Sequence, residues 1–257
     1  MAAEDISISK DQGVLALGLN RPSKLNAITR EMYSILAHEI SAANTDDEVG
    51  AVLIYGEGDD FTSGNDLNDF LEHPPTGSES PVWHFLTAIR DFSKPLVAAI
   101  SGRAVGVGIT MLFHCDCVIA GKNSKLSMPF VNLGLVPEAG SSYLLPLIAG
   151  RHRAAEMFMF GEVFSAQRGY EAGFINEVVE EEEVAVRAGE RAKQLADQPR
   201  NAIRETKRLL RQGQHARLSE VMEEEARLFS AALQSDEARE AFTAFFEKRK
   251  PDFTPFS

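Results

Sequence analysis

A lone carboxylate stands in the stretch NLGLVPEAGSSYLLP, residues 132–146, where Glu138 follows a proline and precedes a run of small residues among leucines, a valine and a tyrosine. Apolar surroundings strip hydration from a carboxyl group and raise the pH at which it ionises, toward the range in which an acid or base can work. The same residues allow a plainer reading, in which Glu138 follows Pro137 into the first turn of a helix and meets the positive end of its dipole. Two glycine-bearing loops could supply the complementary chemistry. FTSGNDL, residues 61–67, follows the run VGAVLIY, and SGRAVGVG, residues 101–108, follows LVAAI and precedes a helix. Loops of small residues at strand ends leave main-chain N–H groups free, and two such loops aimed at one point make an oxyanion site. Neither fits the G-x-G-x-x-G phosphate fingerprint, and the chain has no G-x-S-x-G elbow, H-E-x-x-H pair or P-loop. His38, His73, His84, His114, His152 and His215 are scattered and read as structural, which leaves triad chemistry without support.

The elements that must position these residues follow from periodicity. ISISKDQGVLALGLN alternates around a turn at residues 11–13 and predicts a hairpin, and TREMYSILAHEISAANTD predicts a helix capped by Thr29. VGAVLIYGEG and residues 96–100 predict buried strands, the second leading through the glycines into an apolar helix around residues 107–114. CDCVIAG predicts another strand, in which Cys115 and Cys117 read as packed, reduced thiols because no second ligand pair for zinc is present. Residues 72–81, EHPPTGSESP, read as a mobile surface loop. From Gln198 onward the strand-like runs stop and three helical blocks with charged faces follow, so the expected division is an α/β core over residues 1–197 and a helical region over 198–257. The acidic runs 180–183 and 223–225 read as solvated helix faces rather than metal sites.

Composition sets the outer limits. A chain of 257 residues with 44% hydrophobic content can bury a sizeable core, and a formal net charge of -12 argues against a general nucleic-acid binder. No run reaches the roughly 18 apolar residues of a membrane span. The start MAAEDIS resembles no secretion signal or transit peptide, and the ending FTPFS is not a peroxisomal address, so the expected location is cytoplasmic.

The strings NRPSKLNAI, FTSGNDL, KPLVAAISGRAVGVG, CDCVIAGKNSKLSMPFVNLGLVPEAGSSYLLP, FSAQRGYEAGFINEVV and EAFTAFFEKRKPDF together resemble the crotonase (enoyl-CoA hydratase/isomerase) superfamily, in order and over nearly the whole chain. The resemblance implies a spiral of ββα units with a C-terminal helical trimerisation region, and assembly as a homotrimer or a dimer of trimers. It also implies acyl-CoA thioester substrates in fatty-acid metabolism, with no cofactor or metal beyond the substrate's own coenzyme A. The shared chemistry is a thioester enolate held by two main-chain N–H groups, which fall here on Asn65 and Val107. Substrate and CoA contacts carried over by position are Lys24, Leu25, Ala27, Ser63, Gly64, Asp66, Leu67, Gly106, Phe130, Leu133 and Leu135. Asp66 is expected to orient its loop, Tyr143 to help wall the acyl pocket, and Arg249 and Lys250 to meet CoA phosphates across a subunit contact.

Hydratases of the family carry two glutamates, whose places fall on Thr110 and Phe130, and neither residue titrates at physiological pH. LGLVPEAGSS instead resembles the segment in which the Δ3,Δ2-enoyl-CoA isomerases keep one catalytic glutamate, and Glu138 falls on it. The expected activity is a double-bond shift. The alternatives are an enoyl-CoA hydratase or another crotonase, such as a thioesterase or dehalogenase, drawing a base from Asp66, Asp69 or Glu72; a non-catalytic acyl-CoA binder is the remaining reading. An apolar stripe at Phe229, Leu233, Phe242, Phe245 and Phe246 in the helical region predicts self-association.

Overall fold

The computed structural model describes residues 5–75 and 79–256. The chain opens with the expected hairpin: β1 (Ile6–Asp11) pairs antiparallel with β2 (Val14–Leu19). Helix α1 (Arg30–Thr45) starts where Thr29 accepts the Met32 N–H, and its buried Met32, Tyr33, Leu36 and Ile40 recur at helical spacing. Then follow β3 (Ala51–Gly56), α2 (Leu67–Glu72), α3 (Pro81–Asp91), β4 (Leu96–Ile100), β5 (Arg103–Val105), α4 (Val107–Thr110), β6 (Cys117–Gly121) and β7 (Lys125–Ser127). The remainder is α5 (Ser141–Ala149), α6 (Arg151–Phe160), β8 (Phe164–Ser165), α7 (Ala166–Ala172), β9 (Glu177–Val179), α8 (Val184–Ala196), α9 (Arg200–Leu210), α10 (His215–Ala232) and α11 (Asp236–Phe246).

The strands divide between two sheets. One sheet has the order β1-β2-β3-β4-β6-β9, parallel from β2 onward, and the other has the order β5-β7-β8. After β4 the chain places β5 in the smaller sheet, β6 in the larger, β7 and β8 in the smaller and β9 in the larger, so β4 and β6 become neighbours across the intervening β5 and α4. The central strands β4 and β6 are buried on both faces, which explains their continuous apolar runs. Val97, Ala99 and Ile119 pack against Val184, Ala188 and Ala192 of α8, while Leu96, Ala98, Ile100 and Val118 enter the main core.

Helices α9–α11 pack back onto the core. Lys207 of α9 is buried and donates to Asp116 Oδ2 and to the Lys94 carbonyl, both at 2.6 Å, so a charged side chain with paired neighbours fixes the helix to the ends of β4 and β6. Helix α10 rests on α5, and α11 rests on the short turn Val131–Leu133. This packing corrects the apolar-stripe expectation. Phe229 and Phe242 are buried within the chain and Leu233 packs on the core, whereas Phe245 and Phe246 remain exposed.

Three other expectations change. Glu225 is buried rather than solvated, because α10 turns that side chain toward α5. Glu181 accepts the N–H groups of Gly102 and Asn123, so the run 180–183 is not wholly solvent-facing. Residues 72–81 shrink as a loop, since Glu72 ends α2 and Pro81 begins α3; Thr76, Gly77 and Ser78 of that loop lie outside the described residues. Cys115 and Cys117 are free thiols, and burial pushes both up. Among the described residues no helix is long and apolar enough to cross a membrane.

Candidate active site

Two loops at the ends of β3 and β4 meet through main-chain bonds. Thr62 N–H donates to the Arg103 carbonyl and Val105 N–H to the Thr62 carbonyl, at 2.9 and 3.1 Å. Gly64 takes φ +90, and a Cβ there would stand 2.9 Å from the Val105 carbonyl oxygen, so only glycine lets the loops approach this closely. Gly106 takes φ +57 immediately before α4. The loop holding Lys24, Leu25 and Ala27 is joined to the first of these: Ser63 N–H donates to the Leu25 carbonyl at 2.9 Å and Ile28 N–H to the Gly64 carbonyl at 2.8 Å.

The result is a cavity of about 370 Å³ with mostly apolar walls. Of the site residues expected from the sequence, Ser63, Gly64, Asn65, Leu67, Gly106, Val107, Phe130, Leu133 and Leu135 line it. Among the described residues, neither the Asn65 N–H nor the Val107 N–H bonds to a protein acceptor, which is the condition for donating to a substrate oxygen. Phe229, Ala241, Phe242, Phe245, Arg249 and Pro251 also belong to the lining, so the site is not confined to residues 1–197. Arg249 lies in its own chain's cavity wall and is already paired with Glu240 and Glu247.

Lys24, Leu25, Ala27, Asp66 and Tyr143 do not line the cavity. Lys24 and Leu25 are exposed and Ala27 is half-buried on the neighbouring loop, whose link to the cavity is through its main chain. Asp66 is bonded within the fold: its Oδ1 accepts the Asn68 and Asp69 N–H groups at the start of α2, and its Oδ2 accepts from Arg21 at 3.0 Å. Asp69 is likewise taken, accepting the Arg30 N–H at 2.6 Å, and Glu72 is exposed at the end of α2, so none of these three carboxylates reaches the cavity wall.

Glu138, unlike the expected donors, is not part of the cavity lining. It precedes α5 rather than starting it, which removes the helix-dipole reading. The residue is 5% exposed; Thr110 Oγ1 donates to its Oε1, and Oε2 has no hydrogen-bond partner. Thr110 stands three residues beyond Val107 on α4, so the carboxylate is bonded to the same short helix whose first residue carries the candidate donor. On the other side Tyr33 donates to Asn65 Oδ1 at 2.5 Å, and the Tyr33 hydroxyl is pushed well up by burial and then by the Glu138 charge. Burial pushes the Glu138 carboxyl up to about 8; the Thr110 bond opposes the rise and the Glu225 charge adds to it. Phe130, at the place of a hydratase's other carboxylate, stacks obliquely on Phe158. This arrangement sets a buried carboxyl, bonded to α4, near an apolar cavity whose lining includes Asn65 and Val107. It suits proton transfer next to a carbonyl.

Sequence reasoning overlooked Tyr33 and Glu225. Tyr33 lies on the apolar face of α1 and reads as core. Glu225 sits in the triplet EEE, yet Leu218, Met222, Glu225 and Phe229 recur at steps of four, three and four, which puts the carboxylate on the buried stripe of α10.

A family model described as enoyl-CoA hydratase/isomerase matches residues 9–255. The chain is 32% identical over 250 residues to 2,3-dehydroadipyl-CoA hydratase of Escherichia coli K12, covering 97% of this chain and 98% of that one. It is 36% identical over 255 residues to enoyl-CoA delta isomerase 2 of Rattus norvegicus, covering 97% of this chain and 65% of the rat protein. A crystal structure of an enoyl-CoA hydratase/isomerase from Pseudoalteromonas atlantica T6c superposes with a TM-score of 0.93 at 39% identity, covering 97% of this chain and 100% of that one.

Proposed function

The chain belongs to the enoyl-CoA hydratase/isomerase family, and we propose that within it this enzyme moves a double bond, converting a 3-enoyl-CoA to the conjugated 2-enoyl-CoA. The observation that carries this reading is the solitary placement of Glu138. Glu225 is the other buried carboxylate nearby, and both its oxygens accept main-chain N–H groups, whereas Glu138 keeps one oxygen unpartnered. Thr110 and Phe130 stand where the family's hydratases keep their pair, and neither can activate water.

In the reading supported here, the Asn65 and Val107 N–H groups receive the thioester oxygen. Ionised Glu138 takes a proton from C2, the electron pair spreads into the dienolate, and the same carboxyl returns the proton to C4 as the double bond settles between C2 and C3. Atoms and charge balance without water. Fixed donors matter because charge arrives on the oxygen as the proton leaves, and losing one donor in comparable acyl chemistry costs on the order of 10²–10³ in rate. Apolar walls exclude the water that would exchange the carried proton or add to the product. Lys24, exposed beside the cavity loops, is the proposed contact for the nucleotide end of CoA. Self-association into trimers is proposed on the resemblance and on exposed Met159, Phe160 and Val163, close together around the end of α6.

The test is incubation of the purified protein with 3-enoyl-CoA while conjugated-thioester absorbance is followed, with product mass recorded. Unchanged mass with rising absorbance supports isomerisation. A gain of one water from 2-enoyl-CoA at a comparable rate would make the enzyme a hydratase instead.

A further inference from the structure

The turn that carries Glu138 is held from outside its own segment. Ala139 and Gly140 both adopt left-handed backbone, at φ +61 and +70, a conformation that an alanine takes only under constraint. Gly140 is also the N-cap of α5 and has no side chain with which to cap it. Helix α10 supplies the missing group. Glu225 Oε2 accepts the Gly140 N–H at 2.6 Å, and Oε1 accepts the Ser142 N–H at 2.9 Å. A Cβ on Gly140 would meet Leu218 Cδ1 at 2.2 Å, so the glycine is what lets α10 come close enough. From the other side, His114 Nε2 donates to the Ala139 carbonyl at 2.7 Å.

We infer that Glu225, in the C-terminal helical region, is a positioning residue for Glu138: it holds the turn that aims the base and sets the charge the base faces. This rests on the reading of Glu138 as the proton carrier. Docking of α10 then does more than cover the core, since it completes the catalytic turn from 85 residues away. The titratable groups around Glu138 are Tyr33 on α1, His114 after α4 and Glu225 on α10. Burial keeps His114 neutral, down to about 4, and the Tyr33 hydroxyl is pushed up. Glu225 is therefore the neighbour whose charge is present near neutrality: burial pushes it up to about 6, and the Ser142 and Gly140 bonds oppose the rise.

The test compares wild type, Glu225→Gln and Glu138→Gln in the isomerase assay across pH. Glu225→Gln should lower kcat on the order of 10- to 100-fold, the range for a slight misplacement of a reacting group, with KM within about twofold. Its acid limb should move to lower pH, because removing the neighbouring negative charge eases ionisation of Glu138. An inactive Glu138→Gln beside a Glu225→Gln with wild-type kcat and an unmoved limb would overturn this inference alone, leaving Glu225 a helix cap. A fully active Glu138→Gln would overturn both this inference and the functional reading. Should Glu225→Gln not fold, carbon-13 titration of glutamate carboxyls in the wild-type protein decides the charge coupling: two buried resonances each showing two inflections support it, and single inflections overturn it.

Discussion

Tyr33 donates its phenolic hydrogen to Asn65 Oδ1 at 2.5 Å, tying the buried face of α1 to the loop whose main chain lines the cavity. Tyr33→Phe keeps the ring, its tilted contact with Phe85 and the apolar packing, and removes only this bond. We expect about 1 kcal/mol of lost folding stability, the usual net worth of such a bond. The Asn65 loop should loosen as well, with kcat/KM falling on the order of tenfold. Urea denaturation and steady-state kinetics on one preparation check both numbers, and a variant with wild-type kcat/KM would show that Asn65 needs no support from Tyr33.

Glu138 must be ionised to take a proton, and its carboxyl is pushed up to about 8. The rate should therefore rise with pH through neutrality and level off above about 8. Glu138→Gln should lose on the order of 10²–10⁴ in kcat, the range for one general acid–base group. A flat profile from pH 6 to 9 would contradict the assignment.

Stability should run the other way. The folded carboxyl holds its proton to about 8, while the unfolded chain releases it near the ordinary 4.5. Between those values the folded state binds more protons, so stability falls as pH rises. Glu138→Gln removes this dependence. Its Tm relative to wild type should climb between about pH 5 and pH 8 and then stay level, as thermal melts at pH 5, 7 and 9 would record. A constant difference across that range would mean that the carboxyl is not buried.

Phe242 and Phe245 both line the cavity, but Phe242 is buried and Phe245 is 58% exposed. Phe242→Ala should destabilise the fold by about 3–5 kcal/mol, as core phenylalanine truncations do. Phe245→Ala should leave Tm nearly unchanged and raise KM several-fold for long acyl chains, since its ring lines the cavity without filling the core. A substrate-length series with parallel melts separates the two effects.

Met159, Phe160 and Val163 are more than 60% exposed within a few residues of one another. A patch of this kind on the surface of a chain with net charge -12 is expected to be covered by another copy. Sedimentation at micromolar concentration should give a trimer or a larger species, and Phe160→Glu should shift it toward monomer. A wild-type monomer would remove the basis for the assembly.

Much of this protein was legible in the residue order because the relevant signals are local. Hydrophobic periodicity located α1, β3, β4 and the helices after Gln198, and turn chemistry located the hairpin. The motifs FTSGNDL and SGRAVGVG marked the two cavity loops only when taken together, since a single glycine-bearing loop most often just turns the chain. The lone carboxylate of LGLVPEAGSS was visible too: a charge among apolar residues stands out without any structure.

Only the tertiary structure decided who stands next to whom. Glu225 looked like one more solvated glutamate until α10 placed it on the Gly140 and Ser142 N–H groups, and Tyr33 looked like filler until α1 brought its hydroxyl to Asn65. Lys24, Leu25, Ala27 and Asp66, neighbours of the site in sequence motifs, are not part of the cavity lining. The reason is physical. Propensity and pattern act over a few residues, whereas a hydrogen bond between residues 140 and 225 exists only after loop closure and core packing have brought two distant helices together.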